Sequence, residues 1–129
     1  MNEVNSSPAF LWVGRILSGL VIAFLLFDAV GKIAKIEPVI KSMEELGIPS
    51  SQSVTLGIIL LVTTILYAIP QSSALGALLL TGYLGGAVAI HLRVENPLFT
   101  HTLFPVYLGL FLWTGLAFRN PKVKHLFWI

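Results

Sequence analysis

The sequence predicts an all-α fold, an integral membrane four-helix bundle with a short amphipathic helix between its first two spanning helices. Three observations carry this reading. Of the 129 residues, 56% are hydrophobic and only 11% charged, against about 25% charged in an ordinary soluble domain. Mean hydropathy is +0.88. No Asp, Glu, Lys or Arg lies between Glu45 and Arg93, a span that accommodates two helices of about 20 residues, the length that crosses a hydrocarbon core. Lipid offers the backbone no hydrogen-bond partner, so segments this long and without alternating polarity have to be helices.

The elements follow in order, within one domain covering residues 1–129. The N-terminal "MNEVNSSPAF" lacks the positive n-region of a signal peptide. Arg15, "ILSGLVIAFLLF" and Ala29-Val30-Gly31 imitate a short cleavable leader, but Asp28 adjoins the supposed site and more apolar helices follow, so the segment is expected to stay. Apolar helices are expected over about residues 10–31, 54–69, 73–92 and 103–118. The second and fourth are short, which calls for tilt or local bilayer thinning. Between the first two, "EPVIKSMEELGIP" offers Glu37 and Pro38 as a helix start and Gly47 as its end. Ile36, Val39, Ile40, Met43 and Leu46 share one side of that helix and Lys41, Glu44 and Glu45 the other, as in a helix lying in the interface or packing over the bundle mouth. In "IPQSS", Pro70 stops the second helix, and Ser72 or Ser73 is placed to cap the third by accepting a backbone hydrogen bond.

Composition also excludes functions. There is no cysteine, so disulfides, thiolate metal ligands and a thiol relay within the chain are ruled out. The net charge of +2 comes from cations scattered at segment ends, which is how membrane helices are flanked and not how a nucleic-acid-binding stripe is built. Arg15, Arg119, Lys122 and Lys124 fall on the terminal side, against Lys32, Lys35, Lys41 and Arg93 on the other. The terminal cations are less offset by acids, which favours cytoplasmic termini by a narrow margin. Trp12, Trp113 and Trp128 read as interfacial anchors, and the tail "RNPKVKHLFWI" suits docking on a membrane surface.

Polar residues concentrate in "GGAVAIHLRVENPLFTH". If four helices alternate through the membrane, Asp28, Lys32, His91, Arg93 and His101 meet at one mouth of the bundle. Asp28 and Lys32 stand one above the other on a helix. An ionisable group inside a span costs about 2.5–3.5 kcal/mol on insertion scales, so Asp28 has to face protein or water with a partner, Lys32 or Arg93. The cluster admits two readings: a structural ion pair that fixes packing, or a pocket that binds a polar headgroup and exchanges protons. A metal centre from Asp28, His91 and His101 has suitable ligand types but lacks a close i, i+4 histidine pair, and no metal is expected. Bis-histidine haem is disfavoured because His101 enters its helix just after Pro97. Ser18 and Thr81 have no base and orienting acid for nucleophilic catalysis. Gly82, Gly85 and Gly86 are expected at a close helix crossing, within this chain in preference to a second copy.

"LGALLLTGYLGGAVAIHLRVENPLFTHTLFPVYLGLFLW" resembles the DoxX-like family of small four-helix bacterial membrane proteins, as do "FDAVGKI", the "LGIP" of the long loop and the "Y-x-I-P" that ends the second helix. The resemblance implies a bacterial cell-membrane location and makes Asp28, Lys32, His91, Arg93 and His101 the family's polar positions. Relatives in the wider DoxX and DoxD group are associated with membrane oxidoreductases, including thiosulfate oxidation to quinone and thiol-linked stress defence. Without cysteine this chain is left a quinone-facing or partner-holding role, and it has no motif for flavin, nicotinamide or iron–sulfur cofactors. The expected function is binding of a quinone-like or lipid-like molecule at the polar mouth, beside an oxidoreductase partner. The alternatives are a non-catalytic scaffold that holds partner helices or a second copy, and a small transporter.

Overall fold

The first apolar segment forms α1 (Pro8–Ala34), longer at both ends than its sequence pattern indicates. Pro8 can open a helix because its missing N–H is unneeded there, and Lys35 closes it in a left-handed conformation with φ of 56°. That closure is a Schellman motif: Ile36 donates to the Gly31 carbonyl (3.1 Å) and Lys35 to that of Lys32 (3.2 Å). This computed structural model describes residues 8–127, with α2 (Glu37–Glu45), α3 (Ser53–Ala68), α4 (Ser73–Arg93), α5 (Phe104–Arg119) and α6 (Pro121–Phe127) following, and no strand among them. Four spans, Pro8–Ala34, Ser50–Ala68, Pro70–Arg93 and Leu98–Arg119, are long and apolar enough to cross a membrane. The short second and fourth segments gain their extra length from a 3₁₀ turn at Ser50–Gln52 and a π turn at Leu98–Thr102.

Two more helix ends at the same mouth close through a left-handed residue. Gly47, with φ of +77°, ends α2 while Ile48 donates back to Met43. Glu95, with φ of 58°, follows α4 while Asn96 donates back to His91. At the opposite end, Ser72 and Ser73 do not cap α4 as expected. Their hydroxyls donate instead to carbonyls freed at the end of α3, Ser72 to Leu66 (2.8 Å) and Ser73 to Tyr67 (2.8 Å). Pro70 stops α3 and leaves those acceptors open, so the preceding helix is the needier partner.

α1 and α4 each pack against both α3 and α5, giving an up-down-up-down square. Val21, Leu25, Leu60, Leu80, Leu112 and Leu116, all at most 1% exposed, fill its axis. Between helices in lipid there is no hydrophobic drive, so close contact depends on small residues. They are not the ones the sequence motif singles out. A Cβ at Gly115 would lie 2.7 Å from Ser18 Oγ, one at Gly14 2.8 Å from the Gly115 oxygen, and one at Gly57 2.9 Å from the Ala29 oxygen; at Gly76 it would overlap the Tyr67 backbone. A Cβ at Gly82, Gly85 or Gly86 would meet no other described residue within 4 Å, and all three are exposed. The expected intrachain crossing at these three glycines is therefore corrected: a G-x-x-x-G spacing permits close approach but does not say which surface approaches.

A cavity under the short helix

The polar mouth is built by the ends of α1 and α4, the π turn and α2. Their register brings a cavity of about 580 Å³ under α2, within the range of small-molecule sites. Its floor and walls are mainly apolar, with Leu25, Leu56, Leu84, Ile90 and Leu108 among the lining. Ile36, Pro38, Val39, Ser42, Met43 and Leu46 form the cover. Of the two placements open to the amphipathic helix, the structure therefore shows packing over the mouth. Met43 is 3% exposed, whereas Lys41, Glu44 and Glu45 face outward.

Four ionisable groups from α1 and α4 converge on this greasy space, Asp28, Lys32, Tyr83 and His91, with the Ser42 hydroxyl on the cover. Asp28 accepts a 2.6 Å hydrogen bond from Lys32 Nζ, one turn along α1. Of the two partners open to Asp28, the structure thus selects Lys32. Ser53 fixes the same corner by donating to the Lys32 carbonyl (2.7 Å). The side chains of Lys32 and Asp28 are 14% and 30% exposed, so the pair is screened far less than one on a water-exposed surface.

His91 lines the cavity, and its Nδ1 lies 2.8 Å from the Asn96 side-chain nitrogen. An amide nitrogen can only donate, so Nδ1 accepts and the neutral ring carries its proton on Nε2. His101 stands beside it in the π turn, with ring centroids 6.2 Å apart and planes 68° apart. Its Nδ1 is 2.8 Å from Thr100 Oγ1. π turns arise where one extra residue is carried in a helix and recur at functional sites. Here the turn sets His101 at the exposed rim rather than in the lining. Among the described residues, no group of three His, Asp or Glu side chains is placed to hold a metal ion.

Arg93 differs from the other four. It turns out over α2, and a terminal nitrogen donates to the Leu46 carbonyl at 2.7 Å. That carbonyl is one of the acceptors a helix C-terminus leaves open, and the guanidinium also answers the negative end of the α2 dipole. Arg93 thus holds the cover and does not join the ionisable groups that line the cavity.

Tyr83 is the ionisable lining residue that the sequence reasoning did not single out. Only its position one turn before Ala87 and two before Ile90, both lining residues, reveals it, and this requires knowing which side of α4 is hollow. A second polar cluster was missed at the terminal end. Arg119 Nε donates to Ser18 Oγ (2.9 Å), a terminal Arg119 nitrogen to the Tyr67 carbonyl (3.0 Å), and Tyr67 hydroxyl to the Leu112 carbonyl. Trp113, expected as an anchor, also ties α5 to α4 by donating to Thr81 Oγ1 (2.7 Å). Trp12 is 59% exposed, and Trp128 lies outside the described residues.

No curated protein and no solved structure matches the chain. The sequence pattern of the DoxX-like family matches residues 16–115, which contain α2, α3 and α4 whole, every lining residue named above, and the Asp28–Lys32, His91, Arg93 and His101 positions. This multi-pass integral membrane protein belongs to the DoxX-like family.

Proposed function

We propose that the cavity binds a lipophilic molecule with a polar head, quinone-like or lipid-like, in a bacterial cell membrane and beside an oxidoreductase partner. The observation that carries this reading is the chemistry of the lining: a mostly apolar space with its ionisable groups gathered from α1 and α4. Such a space suits a hydrocarbon body with one hydrogen-bonding head. The Lys32 ammonium and the Tyr83 hydroxyl can donate to a carbonyl, and Asp28 can accept from a hydroxyl. His91 Nε2–H is a further donor, and His101 at the rim, its ring centroid 6.2 Å away, is a group that can exchange protons with it.

The test is binding of a short-chain quinone, and separately of a lipid, to protein in nanodiscs. Replacing Asp28 with Asn, Tyr83 with Phe and His91 with Ala is expected to weaken binding by about tenfold or more each, the loss of one buried hydrogen bond to a charged or polar head. Unchanged binding in all three, with the bundle still folded, rules the reading out.

A second reading, a scaffold for a partner helix or a second copy, is favoured by the open exposed surface at Gly82 and Gly85. It expects Gly85→Leu to abolish crosslinked species in membranes and to leave the monomer folded.

A further inference from the structure

Arg119 is a half-buried cation at the end of a membrane span, and no carboxylate among the described residues answers it. Its hydrogen bonds go to Ser18 Oγ and the Tyr67 carbonyl, and its guanidinium carbon sits 4.9 Å from the Tyr67 ring centroid. These partners are neutral. They use two of the five N–H donors a guanidinium carries and fix its plane. The described carboxylates, Asp28, Glu37, Glu44, Glu45 and Glu95, belong to the opposite mouth or its loops. At the terminal end stand further cations: Arg15 and Lys122 are exposed, and Lys124 lies 5.5 Å over the Phe10 ring. A guanidinium held by two neutral partners with three N–H donors to spare, at the end of a span that carries further cations, complements a phosphate at headgroup depth.

We propose that this end of the bundle binds anionic phospholipid, with Arg119 as the oriented phosphate-binding group and Arg15, Lys122 and Lys124 as the surrounding charge. Val123, 3% exposed, plugs α6 into the core and so holds Lys122 and Lys124 at the rim. The depth of Arg119 favours a lipid over a soluble anion, because Leu98–Arg119 is itself a candidate span. Near a membrane surface each cation adds about fivefold to anionic-lipid affinity.

The experiment is native mass spectrometry of the full chain released from nanodiscs holding equal phosphatidylglycerol and phosphatidylcholine. Retained phosphatidylglycerol is expected to exceed phosphatidylcholine by about tenfold or more. Arg119→Gln should remove most of that preference and Arg119→Lys restore only part of it, since an ammonium lacks the planar fork. Where Arg119→Gln does not fold, the triple variant Arg15→Gln, Lys122→Gln, Lys124→Gln leaves the Ser18 and Tyr67 bonds in place and should lower the preference several-fold. Equal retention of both lipids by the unaltered protein overturns the proposal. So does displacement of phosphatidylglycerol by millimolar inorganic phosphate, which would mark a soluble-anion site. A preference kept by folded Arg119→Gln removes Arg119 from the role.

Discussion

Glu95 and Lys35 occupy backbone conformations that cost an L-residue about 1–2 kcal/mol, at φ of 58° and 56°. Each follows a helix that ends at the cavity mouth. Glycine would serve both positions without strain, as Gly47 does at the end of α2. Glu95→Gly is therefore expected to stabilise the folded chain by about 1 kcal/mol, visible as a higher thermal midpoint in mild detergent. An unchanged or lower midpoint would show that the Glu95 side chain contributes more than its backbone costs. At this scale the sequence was legible where covalent geometry decides the neighbour. Asp28 and Lys32 are four apart on one helix, and their pairing follows from that spacing. Tyr83 was not legible, because whether it meets lipid or a hollow depends on how α4 is rotated in the bundle. The direction of the Ser72 and Ser73 hydrogen bonds was misread for a related reason: a hydroxyl both donates and accepts, and the exposed end of α3 decides which.

Among the elements, α2 is the least secured part of the site. It buries Met43 but leaves most of its surface outside the core, and its C-terminal end is held by the Arg93 bond to the Leu46 carbonyl. Local opening takes least free energy where buried contacts are few. Arg93→Gln is expected to raise hydrogen exchange over residues 36–48 by about tenfold and to leave the middle of α1 and α3 protected, because the change removes one charge-assisted hydrogen bond outside the bundle axis. Uniform exchange gains in all helices would mean that Arg93 supports the whole fold. Gly47→Ala approaches the same end of α2 differently: the new Cβ must accept φ of +77° and would lie 2.7 Å from a terminal Arg93 nitrogen. The apolar stripe of α2 was visible in its sequence because helix periodicity alone places Val39, Ile40, Met43 and Leu46 together. The glycines that actually close the bundle were not, since Gly14, Gly57, Gly76 and Gly115, one on each of four helices, form no spacing motif with one another and acquire meaning only when those helices meet.

The molecule as a whole separates two polar ends by an apolar axis. Ser18 and Asp28 lie ten residues apart on α1, about 15 Å of helix rise, and between them Val21 and Leu25 turn inward against Leu60, Leu80 and Leu112. A transporter or a transmembrane proton relay through one chain would need polar groups or water across that interval, and the described residues place fully buried leucines there. Thr64 Oγ1 is a buried polar atom without a hydrogen-bond partner, but it lies on α3 one turn from Tyr67, at the terminal end of the plug rather than across it. Proteoliposomes with a pH-sensitive dye inside should therefore show the same proton leak as empty vesicles, for the unaltered chain and for Asp28→Asn alike. Chemistry at the mouth would then have to exchange protons with the membrane face on which it opens. Proton flux above the empty-vesicle rate that Asp28→Asn abolishes would mean that the axis opens in some state of the bundle, and it would move the function from binding at one face to passage between two.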